Sequence, residues 1–391
     1  MREGWTYKKL GEVATFINGD RSTNYPSKKD YVVNGIPFVN AGNLTQAGLD
    51  IESLNLISQS KYDSLTQGKF VEGDILFCLR GTLGKHSIVQ NDLKGAIASS
   101  LVIIRTKDGF CNKYVSYYLD YKQPFIERLN NGAAQPNIPA KTMKVFSILL
   151  PPDEKEQQRI VSRLDAAFAH IDALKANAKK QLSDAKALFQ KALEKAMEPK
   201  EGWEEKKLKE ISSYSIGLTY KPTDVSEIGT IVLRSSNIQD DKLDLNDIVR
   251  VNCPIKENLY VKEGDILMCS RNGSARLVGK VAMLPSMNEK MTYGTFMMTI
   301  RSDYNPYLFY FFKSDTFRNQ IKHGEANMIN QITRYMLDEV YVNTPPLSEQ
   351  QAIVAQLDQL SEKVKRLQEI QEKTIRECDA LKQAILREVF E

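Results

Sequence analysis

Histidine and cysteine are scarce in this chain. Five cysteines (Cys78, Cys111, Cys253, Cys269, Cys378) form no Cys-x-x-Cys pair, and only His86, His170 and His323 accompany them. A zinc centre or a Cys/His nucleophile needs such residues at ligand spacing, so neither is expected; reduced, buried thiols are. No run approaches the roughly 20 apolar residues that span a bilayer. The opening Met1-Arg2-Glu3-Gly4-Trp5 has no apolar stretch after its first charges, which argues against a secretory signal. A cytoplasmic protein without a membrane partner is expected. Enzyme signatures are missing too. A phosphate-cradling loop needs Gly-x4-Gly-Lys-Ser/Thr, but Gly273–Val281 offers Ser274 for the first glycine and Val281 for the hydroxyl, while Leu79 precedes Gly84-Lys85-His86. Asn343-Thr344-Pro345-Pro346-Leu347 misses the Asn-Pro-Pro-aromatic motif of amino-methyltransferases at two positions.

There is also little surplus charge. The net is +4, yet residues 1–152 hold 18 Lys and Arg against 13 Asp and Glu, whereas residues 199–344 hold 19 of each. Phosphate binding needs basic groups that cluster locally, not a high total, so nucleic-acid binding is permitted without being required.

What is present is one unit written twice across 391 residues, a length that suits two or three domains. Glu3-Gly4-Trp5 with Lys8-Lys9-Leu10 returns as Glu201-Gly202-Trp203 with Lys206-Lys207-Leu208. Glu72-Gly73-Asp74-Ile75-Leu76 returns as Glu263-Gly264-Asp265-Ile266-Leu267. Pro151-Pro152, Glu156-Gln157-Gln158 and Leu164-Asp165 return as Pro345-Pro346, Glu349-Gln350-Gln351 and Leu357-Asp358. Within each copy, residues 1–152 and 199–344 show short apolar runs broken by Gly, Asn, Asp and Pro, which predicts a β-rich, irregular α+β domain. Aromatic-rich stretches at 114–126 and 307–321 read as helices packed on its sheet.

Residues 153–198 and 345–391 differ sharply. A four-three apolar spacing runs through Ile160, Leu164, Ala167, Ile171, Leu174, Ala178, Ala185, Leu188 and Ala192, and again through Ile353, Leu357, Leu360, Val364, Leu367, Cys378, Leu381 and Ile385. The spacing predicts two long spacer helices forming an antiparallel coiled coil within the chain, in a pseudo-two-fold internal repeat. Gln181, Gln371 and Thr374 interrupt the seam, either as a polar layer that sets register or as a frayed stretch.

A duplicated β-rich domain, each copy followed by Pro-Pro, a Glu-Gln-Gln opening and a long helix, resembles the specificity subunit of type I restriction-modification systems over the full chain. The resemblance implies two tandem α/β target-recognition domains, 1–152 and 199–344, each reading half of a split double-stranded DNA sequence. It implies a non-catalytic chain whose helices act as spacer and docking surface for two methyltransferase subunits. S-adenosylmethionine would then sit on those subunits, and ATP and Mg on motor-nuclease subunits.

Residue chemistry supplies the candidate contacts. Arg80, Gly81, Thr82 and Lys85 follow a predicted strand, as do Arg271, Asn272 and Ser274 in the second copy: Arg can bond guanine through two N–H groups, and glycine lets backbone approach phosphate. An exposed turn is the alternative. Arg21, Asn24, Tyr25, Lys28 and Lys29 form a basic loop opposite Tyr220, Lys221 and Thr223, suited to a groove or simply to solvent. Asn40 and Asn43, with Arg234, Ser235 and Asn237, either read base edges or cap a turn. Asn130, Asn131 and Gln135, with Asn327, Asn330 and Gln331, make amide-rich loops of the kind that pair with adenine. Glu156, Gln157, Glu349 and Gln350 open the helices, where they complement the helix dipole or contact a partner or neighbouring domain. Two rival functions remain: a self-contained DNA-modifying enzyme, and a bivalent coiled-coil scaffold that binds proteins without DNA.

Overall fold

The computed structural model describes residues 3–45, 48–129, 136–321 and 331–391. The chain forms two compact units, Met1–Lys179 with Glu372–Glu391, and Lys180–Gln371. In the first unit a four-stranded antiparallel sheet has the spatial order His86–Ile88, Ile75–Cys78, Leu101–Thr106, Ala14–Asn18. A five-stranded mixed sheet has the order Tyr31–Val32, Asn55–Ile57, Ile36–Val39, Gly95–Ile97, Lys69–Phe70. Its parallel pair is Ile36–Val39 with Gly95–Ile97. The second unit repeats both, with Val281–Met283, Ile266–Cys269, Met297–Arg301 and Ser213–Ile216 in one sheet, and Thr230–Leu233 parallel to Met291–Tyr293 in the other. Strands buried on both faces, such as Ile75–Cys78 and Ile266–Cys269, lack alternation for that reason.

Each copy is closed by its own ends. Thr6–Lys9 pairs with Ser147–Leu150, and Glu204–Lys207 pairs with Tyr341–Thr344, so the repeated Gly-Trp and Pro-Pro segments are neighbours in space. The repeated Glu-Gly-Asp-Ile-Leu is a turn leading into a core strand. Gly73 and Gly264 adopt φ of +84° and +80°, a region glycine enters without steric cost. The buried carboxylate of Asp74 then accepts the Val71 N–H at 2.8 Å and two guanidinium bonds from Arg105, both 2.7 Å. Asp265 repeats this with the Lys262 N–H at 2.8 Å and Arg301 at 2.7 and 2.5 Å.

The first aromatic stretch is one helix, Asn112–Arg128. The second splits into Asn305–Phe311 and Asp315–Ile321, because the Ser314 hydroxyl accepts the Phe317 N–H at 3.1 Å and starts a new helix. Tyr114 and Tyr307 donate their hydroxyls to the Leu149 and Asn343 carbonyls at 2.8 and 2.9 Å, fixing helix to closing strand identically in both copies.

The long helices are Glu154–Met197 and Leu347–Phe390, each of 44 residues. Within the first unit Lys382 binds Asp172 and Lys175 binds Asp379, both at 2.5 Å: as one number rises the other falls, so the helices are antiparallel. Their packed faces differ from the predicted seam. Val161, Leu164, Phe168 and Ile171 are buried, while Leu174, Leu188 and Leu381 are 53%, 59% and 51% exposed. The apolar face is broader than one seam because it must also meet the domain helix, so several apolar positions compete for each seam place. The repeated Leu-Asp belongs to that contact: Asp165 accepts the Tyr117 hydroxyl, and Asp358 accepts Tyr310 at 2.5 Å. Burial, followed by the carboxylate hydrogen bond, pushes both phenols well above their ordinary range. Gln371 donates to Gln181 at 2.8 Å, so this interruption is a paired polar contact. Among the described residues no helix is long and apolar enough to cross a membrane.

Candidate nucleic-acid interface

Segments far apart in the chain converge at one place in the first unit. The Leu79 N–H donates to the Ser100 carbonyl at 2.9 Å, and the Ile138 N–H donates to the Leu79 carbonyl at 3.0 Å. Arg80, exposed, donates its Nε to Asn137 at 3.3 Å. The Gly81 N–H donates to Pro136 at 3.1 Å; φ is +86°, and a Cβ there would meet nothing within 4 Å. Lys85 reaches across to the Ala41 carbonyl at 3.1 Å, and Arg21 reaches the Ser99 carbonyl at 3.4 Å. Five loops, around residues 21, 41, 80, 99 and 137, are thus stitched by main-chain and side-chain bonds. Thr82 projects from the same turn and is exposed.

The second unit repeats the stitching. Both the Ser270 and Arg271 N–H groups donate to the Phe296 carbonyl, at 2.9 and 3.1 Å, and the Ile332 N–H donates to Ser270 at 2.7 Å. Arg271 bridges to Gln331 as Arg80 does to Asn137. Asn272 donates to Ser235 at 3.1 Å and accepts the Ser274 N–H at 2.9 Å. Lys280, absent from the predicted contacts, donates to the Ile238 carbonyl and is the counterpart of Lys85: Cys78 and Cys269 donate their N–H groups to the Lys85 and Lys280 carbonyls, both at 2.8 Å. Gly84-Lys85 and Gly279-Lys280 could have signalled it.

The chain matches the family described as type I restriction modification DNA specificity domain over residues 2–184 and 200–374, one match per copy of the internal repeat. The chain belongs to that family. It is 28% identical to the type I restriction enzyme EcoKI specificity subunit of Escherichia coli K12, over 100% of this chain and 89% of that protein. It is 24% identical to the MjaVIII specificity subunit of Methanocaldococcus jannaschii, covering 98% and 91%. A chain solved in a study of complex assembly and conformational transition of the type I R-M system shares the fold, with a TM-score of 0.78, 21% identity and coverage of 100% and 98%. The HsdS subunit of Thermoanaerobacter tengcongensis has a TM-score of 0.52 at 20% identity, covering 100% and 97%. A specificity subunit is the non-catalytic part of its enzyme, and DNA target recognition is the role its family implies.

Other candidate residues of this specificity subunit are held by the fold in different ways. Asn43 and Asn237 are buried: each accepts an N–H three residues back, from Asn40 and Arg234, and donates to a loop carbonyl of Ser53 or of Asp244 and Asp247. Asn40 caps the short turn that follows, accepting the Gly42 N–H at 2.8 Å. The Arg234 guanidinium pairs with Asp247 at 2.8 Å. The basic loop divides, with Asn24 donating to Ser64 at 3.0 Å, Tyr25 packing edge-on against Phe38, and Lys28 and Lys29 exposed in a short helix before the Tyr31–Val32 strand. Tyr220 is half-buried, and Lys221 and Thr223 are exposed around the Pro222–Asp224 turn. Asn130, Asn131, Gln135, Asn327 and Asn330 lie outside the described residues.

The helix openers serve the junctions of this specificity subunit. Gln157, buried, accepts the Cys111 N–H at 2.8 Å and donates to Gly109 at 3.3 Å. Glu349 takes the Trp203 indole N–H at 2.8 Å and Lys200 at 2.9 Å. Those two hydrogen bonds hold the Glu349 carboxyl below its ordinary range. Gln350 donates to the Pro345 carbonyl at 2.7 Å, and Glu156 meets Arg159 at 3.4 Å. Among the described residues no cluster of three metal-ligating side chains occurs.

Proposed function

We propose that this specificity subunit reads a split double-stranded DNA target, one half with each copy of its duplicated domain. The recognition domains are residues 1–152 and 199–344, and residues 153–198 and 345–391 are the spacer helices. The observation that carries the reading is the repeated convergence: in each copy separate loops place an exposed arginine, Arg80 or Arg271, beside amide and hydroxyl groups. Neither arginine has a carboxylate partner among the described residues. A guanidinium without a carboxylate keeps its terminal N–H groups for a guanine or a phosphate, even where, as in Arg80, the Nε–H is held by an amide.

The subunit works as a scaffold in this reading. Two methyltransferase subunits dock on its helices, and exposed Leu174, Leu188, Leu381 and Ile370 are the apolar side chains offered to them. S-adenosylmethionine is held by those partners, and ATP and Mg by motor-nuclease subunits. The test is methylation mapping with the assembled methyltransferase complex. Replacing residues 199–344 with another specificity subunit's second domain is expected to change one half of the methylated motif only. A change in both halves, or in neither, would refute the one-half-per-domain reading, and DNA binding that ignores sequence or is absent would favour a protein scaffold without DNA recognition.

A further inference from the structure

The two copies are alike in how they hold their arginines and unlike in what covers them. In the first copy the residue whose carbonyl accepts the arginine-turn N–H is Ser100; in the second it is Phe296. Phe296 is 54% exposed, a large ring left facing water beside the candidate interface. The Arg271 guanidinium carbon lies 5.6 Å from the centre of that ring. Arg80 has no ring contact among the described residues; its Nε is held by Asn137 instead. A single exposed ring is ordinary on a protein surface; what sets Phe296 apart is the guanidinium lying over it. An aromatic face also attracts a guanidinium lying over it and restricts its plane, while leaving its N–H edges unspent.

We infer that Phe296 determines specificity in the second half-site by orienting Arg271. The ring holds the guanidinium in one plane, so that both N–H groups meet the O6 and N7 acceptors of one guanine. Phe296 itself makes no polar contact with the base. The first half-site uses Asn137 for the same purpose, through a hydrogen bond to Arg80. This inference rests on the proposal that the converged loops contact DNA. It adds an asymmetry: the second half is read with a stacked arginine, the first with a hydrogen-bonded one. Such a positioning role predicts a particular pattern of losses. Removing the ring frees Arg271 to bind phosphate or water in many orientations, so discrimination falls further than affinity does.

The experiment uses the full chain assembled with its methyltransferase subunits on a DNA library with both half-sites randomised. Phe296→Ala is expected to lower discrimination at one guanine position of the second half-site by about five- to thirty-fold, the range of a partly to fully desolvated cation–π contact. The first half-site stays unchanged. The salt dependence of binding does not weaken, because no charge is removed. Phe296→Tyr restores discrimination, and Phe296→Leu, which keeps apolar bulk without the π face, does not. Rescue by Leu equal to that by Tyr would overturn the orienting role, as would an unchanged motif in a folded Phe296→Ala protein. Failure of the underlying DNA-contact proposal looks different: Arg80→Ala and Arg271→Ala would then leave motif and salt dependence as they are in the parent complex.

Discussion

The buried Asp265–Arg301 pair offers a test of how the duplicated turn is held. Asp265 has a side chain 2% exposed, whereas that of Arg301 is 39% exposed. The partners are therefore not equivalent when stranded. In Arg301→Met the carboxylate keeps only the Lys262 N–H and has no water to replace two guanidinium bonds. Breaking a buried pair in this way costs about 3–5 kcal/mol. In Asp265→Asn the neutral amide can still accept from Lys262, and the half-exposed guanidinium is rehydrated, so the loss falls to about 1–3 kcal/mol. The two substitutions should thus differ by about 2 kcal/mol, roughly thirty-fold in the unfolding constant. The chain has two tryptophans, one in each unit: Trp5 and Trp203. A Trp5→Phe background leaves Trp203 as the reporter of the second unit, and urea unfolding followed by its fluorescence gives the comparison. Asp265→Asn costing as much as Arg301→Met, or more, would refute the argument from unequal burial.

Three further outcomes follow from contacts described above. Tyr310→Phe removes the hydroxyl that Asp358 accepts and should cost about 1.5–3 kcal/mol, read by the same unfolding assay with Asp358→Asn as the paired variant. Asp20 is buried, which alone would raise its pKa, but hydrogen bonds from Ser22 and Thr66 outweigh this and hold the carboxyl well below its ordinary range. Its contribution is therefore present above the unfolded-state pKa near 3.9 and is lost as pH falls further. The stability gap between parent and Asp20→Asn should be widest near neutral pH and close below pH ~4 in acid titrations. Finally, one heptad inserted after Ala178 and another after Ile375, opposite each other by the Lys175–Asp379 and Gln181–Gln371 register, lengthens both helices by about 10 Å. Methylation of a library of gap lengths should then show an optimum moved by up to ~3 base pairs; an unmoved optimum would show that the helices do not measure the gap.

The duplicated organisation was legible because it is written in contiguous motifs: within Trp203 with Lys206-Lys207, within Glu263-Gly264-Asp265 and within Pro345-Pro346 the residues lie close together in the chain. Their reasons were not. Asp74 and Asp265 owe their place to Arg105 and Arg301, 31 and 36 residues away, and spacing alone does not pair them. The helices were legible from periodicity, but Leu174, Leu188 and Leu381 were misassigned to the packed face, since a helix that meets both a helix and a domain carries more than one apolar row. In the candidate interface, residue type pointed to Arg80 and Arg271 and equally to Asn43 and Asn237, and only burial separates the exposed pair from the structural one. Phe296 carried no signal, because an isolated phenylalanine in a strand-rich segment reads as core.

The aromatic cluster of the first unit has a temporal meaning. Tyr114, Tyr118 and Tyr121 surround Phe390, with ring centres 5.0, 5.5 and 5.6 Å apart, and Tyr121 donates to Glu391 across 270 residues of sequence. On a ribosome adding about 5–20 residues each second, those tyrosines emerge roughly 14–54 s before the phenylalanine that covers them. During that interval the nascent unit presents an open aromatic surface, while the later unit can complete its own core as it is made. Cellular yield of this chain should therefore depend on holdase chaperones more than its final stability suggests, and slowing translation after residue 197 should deepen that dependence.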